Sequence, residues 1–162
     1  MDLSLISKIC ATYQGAGWLT LDDELDKRYR ARVANEISPE YVTPEWRDFT
    51  VQFECQPFAR ELNPQKTVLT APGILYNIGT YTALPTVKVY GTGNITLTVN
   101  GKAFTVQGVT ASAVVDCENL VAYEGKTLLV TAGEFPMLQL GKNTISFSGA
   151  SKIEITPNWR WL

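Results

Sequence analysis

The sequence predicts a mainly β protein: an antiparallel β-sandwich or jelly roll, preceded by a small α+β segment with one N-terminal helix. Three observations carry this. Residues 61–162 hold ten of the 12 glycines and 30 Val, Ile and Thr, the mixture of β-branched and turn-forming residues typical of antiparallel sheets. Strand-like runs follow one another there at short intervals with no helical stretch between them, the pattern of sandwiches and jelly rolls. An apolar stripe at helical spacing stands at the start of the chain instead. The change of composition divides the chain into residues 1–60 and 61–162, and no internal repeat relates the two.

Asp2 is placed to cap a helix whose stripe is Leu5, Ile6, Ile9, Cys10 and Tyr13, so a short amphipathic helix is expected over 3–13. Gly15 and Gly17 stop it, and Trp18, Leu19 and Leu21 open an extended segment. Tyr29, Ala31 and Val33 alternate with Arg28, Arg30 and Arg32, which predicts a strand over 28–34 with one arginine-bearing face. After a loop marked by Pro39 and Pro44, Phe49, Val51, Phe53 and Cys55 alternate with Thr50, Gln52 and Glu54. The strand expected there, over 47–56, ends at Pro57, and 58–63 read as a linker.

Further strands are expected over 67–71, 86–90, 94–100, 102–109, 113–119, 120–123, 127–130, 144–148 and 152–156. Asn100-Gly101 separates ITLTV from AFTVQ and is the strongest short-range hairpin signal in the chain. Its register puts Ile95, Leu97 and Val99 on one face and Thr96 and Thr98 on the other. Ile145 with Phe147, and Ile153 with Ile155, repeat the apolar-in, polar-out pattern. Gly91-Thr92-Gly93 reads as a tight turn: it stands before no helix and lacks the third glycine and the lysine of phosphate-binding loops.

Composition removes several classes of function. With 162 residues, 45% of them apolar and 19% charged, the chain has the make-up of a folded domain able to bury a core without staples. A formal charge of −2 points to neither nucleic acid nor an anionic membrane. The absence of histidine excludes Ser-His-Asp, Cys-His and zinc–histidine chemistry. Cys10, Cys55 and Cys117 are odd in number and far apart, so a reducing site of synthesis is expected rather than a disulfide framework.

The opening MDLSLISKIC has no secretory pattern, and no run approaches the roughly 18 apolar residues of a membrane span, so a soluble product of the cytoplasm is expected. Without secretion the acceptor pattern Asn94-Ile95-Thr96 carries no weight. Asp116 with Glu118, and Asp22 with Asp23 and Glu24, have the spacing of ordinary surface carboxylates as much as of paired acids or calcium ligands. No catalytic, metal or cofactor site is expected.

The run YNIGTYTALPTVKVYGTGNITLTVNGKAFTV, followed by ASAVVDCENLVAYEG, GEFPMLQLGKNTISFSGA and KIEITPNWRWL, resembles the C-terminal domain of phage distal tail proteins. The order Phe-Pro, Gly-x-Asn, strand, Ile-x-Ile-x-Pro-x-Trp-Arg is its most distinctive part, and the resemblance covers residues 70–162. Upstream, RYRARVANEI and FTVQFECQPFARE resemble the end of that family's N-terminal ring domain. The family's ring domain is longer, and the chain opens at the position of its helix. The resemblance implies a galectin-like β-sandwich, a non-enzymatic hub between tail tube and adsorption apparatus, tail and baseplate partners, a hexameric ring, a place in the virion tail, and no cofactor.

Six residues are singled out as a candidate interface: Arg28, Arg30, Arg32, Phe135, Met137 and Trp159. The arginine row reads either as a solvated face balanced by Asp22, Asp23, Glu24 and Asp26, or as one side of ion pairs between subunits. The apolar connection Phe135-Pro136-Met137-Leu138 either tucks onto the core or docks a partner. Trp159 suits packing or an interface at the sandwich edge, for an indole joins a large apolar area to one donor. Trp18, Trp46, Trp159 and Trp161 also raise an alternative function, a carbohydrate-binding module contacting the host surface, although the galectin sugar site leans on histidine and this chain has none.

Overall fold

The computed structural model describes residues 15–34, 40–41, 47–48 and 50–162. The helix expected over 3–13 and Trp46 lie outside these residues. Two compact units divide the chain, Met1–Ala59 and Arg60–Leu162.

In the first unit the described strands are β1 (Ala16–Leu19), β2 (Lys27–Val33), β3 (Glu40–Tyr41), β4 (Arg47–Asp48) and β5 (Phe53–Glu61), whose last two residues enter the second unit. β1 pairs antiparallel with β2, setting Trp18 opposite Arg30 and Ala16 opposite Arg32, and β5 follows β2 in the same sheet. β3 pairs antiparallel with β4. The alternation read from the sequence is present in β2: Ala31 is buried while Arg32 is exposed.

The strand expected to end at Pro57 instead begins at Phe53 and runs through the proline to Glu61, so residues 58–61 are strand rather than linker. Proline removes one donor and fixes φ near −65°, which an extended strand tolerates where that N–H is not needed.

The second unit holds β6 (Thr67–Leu69), β7 (Gly73–Asn77), β8 (Thr86–Val99), β9 (Lys102–Val109), β10 (Ser112–Asp116), β11 (Val121–Glu124), β12 (Thr127–Leu128), β13 (Thr131–Gly133), β14 (Gly141–Thr156) and β15 (Arg160–Trp161). Every ladder described is antiparallel. The first half of β8 pairs with β10 and with the second half of β14, which in turn pairs with β6. The second half of β8 pairs with β9 and with the first half of β14, which pairs with β7. β11 and β12 extend the first set beyond β10, and β13 extends the second beyond β9.

Two layers of strands therefore share β8 and β14. Val87, Val89, Ile153, Ile155, Ala113 and Val115 from one half join Ile95, Leu97, Val99, Phe104, Val106 and Ile145 from the other in a single buried cluster. Between Val87, Ile153 and Ile155 on one side and Leu97, Val99 and Ile145 on the other, a void of about 10 Å³ is left, at the lower limit for a single water and lined by apolar side chains.

The glycines of 91–93 were expected to form a turn between two strands, and 144–148 and 152–156 to be separate strands. Both pairs are single long strands. Ladder irregularities fall between Gly93 and Ile95 and around Gly149–Ala150, so each strand bends within itself. A Cβ on Gly91 would collide with the carbonyl of Gly149, and one on Gly149 with the carbonyl of Asn94. Glycine here permits two backbones to approach at the bend, rather than reversing the chain.

The Asn100-Gly101 hairpin is as read: Val99 pairs with Lys102, and both turn residues take positive φ, 51° and 82°. Two asparagines serve as internal braces for the connections into β14. Asn143, fully buried, accepts hydrogen bonds from the Gln139 amide (2.8 Å) and Asn100 Nδ2 (2.7 Å) and donates to the carbonyls of Gln139 (2.8 Å) and Gly141 (3.0 Å). Asn77 donates to the carbonyls of Tyr81 and Leu138 and accepts from the Gly79 amide. Cys117 lies in the core, where burial pushes its thiol up to about 12, so it stays protonated at neutral pH.

Candidate functional site

The first candidate surface lies on the first unit. Because Trp18 faces Arg30 across the β1–β2 ladder, the indole and the three arginines share one face of the sheet. The Arg28 guanidinium sits 4.3 Å from the Trp18 ring centroid and that of Arg30 at 5.5 Å, an arrangement in which cations lie over the negative face of the ring. Arg32 donates from Nε (2.9 Å) and Nη2 (2.7 Å) to Glu54 Oε2 on β5. Arg30, Arg32, Ala16, Glu54, Gln56 and Pro57 line an open groove of about 580 Å³.

Among the described residues, none of the acids expected to balance this row pairs with its arginines. Glu24 accepts from the Tyr29 hydroxyl and from Lys27 Nζ (3.3 Å), which hold its carboxyl below the usual range. Arg32 finds its carboxylate 22 residues away, a pairing that no local spacing could reveal.

The remaining candidates lie on the second unit, and they separate into packing and surface. Trp159 is 6% exposed and belongs to the core cluster, so packing is the role its position supports. Phe135 packs on Phe104 with ring centroids 4.5 Å apart, Pro136 and Leu138 are buried, and Leu138 exchanges two 2.9 Å backbone hydrogen bonds with Ala83. The connection is thus tucked onto the core, with Met137 half-buried beside a cavity of about 50 Å³. Trp161 is half-buried and Trp18 is covered on one side by arginine. No pair of exposed tryptophans is presented among the described residues.

The acid pairs have structural employment. Asp116 accepts from the amides of Glu118 (3.0 Å) and Asn119 (3.1 Å), closing the β10–β11 turn. Glu118 receives both terminal nitrogens of Arg60, with Arg160 Nη2 3.8 Å away, and the Arg60 hydrogen bonds hold its carboxyl below the usual range. Among the described residues no group of three or more His, Cys, Asp or Glu side chains could hold a metal.

A further surface is marked in the sequence by its lack of charge. Residues 67–87 contain no charged residue, and Lys66 and Lys88 bracket them. They build β6 and β7, which among the described residues pair with β14 alone and so form an edge of each layer. Val68, Ile74, Tyr76 and Ile78 project from it with 50–65% exposure. Edges in free proteins are commonly blunted by charge, and this one has only the Pro72 bend between its strands.

No protein-family model matches the sequence, and no curated protein does. Solved structures supply the likeness. The chain has the fold of the Dit protein of phage SPP1 (gp 19.1), which is described as a paradigm of the hub adsorption apparatus in phages that infect Gram-positive bacteria. The match has a TM-score of 0.71 at 16% identity, over 97% of this chain and 70% of the other.

Proposed function

We propose that this protein is a non-enzymatic hub component of a phage or prophage tail, joining the tail tube to the host-adsorption apparatus through protein–protein contacts. The observation that carries the reading is the fold shared with the SPP1 hub protein along nearly the whole chain, residues of the first unit included. A likeness confined to the second unit would point only to a common β architecture, which hosts many functions.

On this reading the second unit is a galectin-like sandwich acting as a docking platform, and the first is the end of a ring domain that assembles with others into a hexamer. Domain boundaries near residue 60 follow. The uncharged β6–β7 edge and the arginine face agree with surfaces that are covered on assembly. The protein is made in the bacterial cytoplasm and ends in the virion tail. Immunogold labelling of intact virions from the parent phage, with antibody to this chain, tests the reading: label at the tail end away from the capsid is expected. Label on the capsid or along the tube, or virions free of the protein, would overturn it.

A further inference from the structure

We infer that the first unit carries both halves of a head-to-tail contact between copies of this chain: the acidic tip of the β1–β2 hairpin of one copy seats in the arginine groove of the next. The inference deepens the hub reading, on which ring closure rests, while the contact itself stands on the hairpin's own chemistry.

The tip is Leu21-Asp22-Asp23-Glu24-Leu25-Asp26. Glu24 is turned inward to Tyr29 and Lys27, and it fixes the loop together with the backbone bonds from Glu24 N to Leu21 O and Lys27 N to Glu24 O, both 3.1 Å. Asp22, Asp23 and Asp26 are exposed, and among the described residues they form no ion pair. Leu21 and Leu25 stand beside them, 40% and 67% exposed. The tip is therefore an apolar knob rimmed by three carboxylates.

The groove is its complement. Arg30 and Arg32 supply cations, Ala16 and Pro57 apolar walls, and Glu54 neutralises only Arg32. Trp18 holds Arg28 and Arg30 in place, so little side-chain freedom is lost when a carboxylate arrives. A guanidinium backed by an indole is a suitable partner for carboxylates at an interface.

Within one copy the two surfaces are kept apart. At about 3.3 Å per residue, β2 carries Arg30 roughly 10 Å and Arg32 roughly 16 Å from Lys27, and the tip lies beyond Lys27. Opposite charges displaced along one rigid hairpin cannot neutralise each other, but they can meet between copies. Because tip and groove are different patches, the contact is heterologous, and it generates a ring when its rotation closes.

The test uses the full 162-residue chain, with solution mass read by light scattering and ultracentrifugation over a concentration series at low and high salt. Self-association that weakens with salt is expected. Arg30→Glu and Asp23→Lys should each weaken it roughly tenfold or more. Mixing the two variants should restore association that neither shows alone, because the intact tip of Arg30→Glu meets the intact groove of Asp23→Lys. Unchanged circular dichroism shows that the variants fold, and Arg30→Ala, which removes the groove cation without reversing it, stands in if Arg30→Glu does not.

A chain monomeric at every concentration would overturn the inference. So would association indifferent to both reversals, or a mixture no more associated than its parts. Labelling at the tail end together with charge-insensitive association sinks this contact alone. Charge-sensitive association without label in the tail sinks the hub reading alone.

Discussion

The two units differ in where their side chains find partners. In the second, eighteen buried residues from both layers close one cluster, and large aliphatic and aromatic groups such as Phe104, Ile95 and Leu97 are fully enclosed. In the first, the buried apolar residues among those described are two alanines, Ala31 and Ala59, while Trp18, Leu21, Leu25 and Phe53 stay substantially exposed. Burying a Leu, Ile or Phe side chain contributes about 1.5–3 kcal/mol, and an alanine methyl far less. The second unit is thus organised by what it hides, whereas the described residues of the first place cations, carboxylates and an indole at the surface.

The sharpest way to break the contrast is to attack the interior of the second unit at its bend. Gly149 has φ of 79°, and a methyl group there would strike the carbonyl of Asn94. Gly149→Ala combines backbone strain with a collision against main chain, which no rotamer relieves, and should cost about 3 kcal/mol or more. Denaturant unfolding measures the loss, and hydrogen exchange localises it: protection in β8 and β14 should collapse while β1 and β2 keep theirs. An unchanged midpoint would mean that the bend relaxes easily, and that the interior is less tightly determined than the 10 Å³ void implies.

A smaller effect is expected at Asn143. Its side chain makes four hydrogen bonds with 0% exposure, binding the approach to β14 and the Asn100 turn to each other. Asn143→Ala removes the partner of an amide N–H, two carbonyls and the Asn100 side-chain amide and empties a fully buried position, a loss of about 1–3 kcal/mol. If thermal unfolding shows no more change than at an exposed threonine, water has entered the site and the brace is not intrinsic to the fold.

How much of this could be read in the sequence depends on the range of the interaction. The Asn100-Gly101 hairpin, its register and the inward set Ile95, Leu97 and Val99 were legible, because turn chemistry and a period of two are local signals. The bend at Gly91–Gly93 reads locally as a tight turn, and the one at Gly149 as a break between two strands. Locally a glycine that turns the chain and one that lets two backbones meet look alike, and the meeting partner is more than 50 residues away. β7 was missed because Ile-Leu-Tyr shows no polar alternation: it is an edge strand whose outward residues are themselves apolar. At the candidate surface, alternation disclosed the arginine row, but Trp18 as its platform and Glu54 as the Arg32 partner are ladder contacts that composition cannot announce. Phe135 and Trp159 were legible as aromatics needing cover, and only packing decides that the cover comes from within.

The subtlest expected effect tests whether the second unit owes anything to its surface. Glu124, at the end of β11, is half-buried at the surface, and its carboxylate accepts from the amides of Thr110, Ala111 and Ser112, each at 2.8 Å. Those backbone donors, Thr110 foremost, hold its pKa down to about 2. In the unfolded chain the same carboxyl titrates near 4.3. A folded-state value below the unfolded one means that the charged form favours folding. The contribution is complete above about pH 4.5 and is lost as the pH falls toward 2. Glu124→Gln keeps one acceptor oxygen but no charge, so it should lower stability at neutral pH and flatten the acid limb of the stability curve between pH 4.5 and 2. Unfolding midpoints measured across that range decide the matter. A variant whose acid limb parallels the parent's would mean that the β9–β10 turn is held by its ladders alone, which would make the contrast between the two units sharper still. A flattened limb gives one surface carboxylate of the second unit the same kind of structural role that the first unit assigns to Glu24.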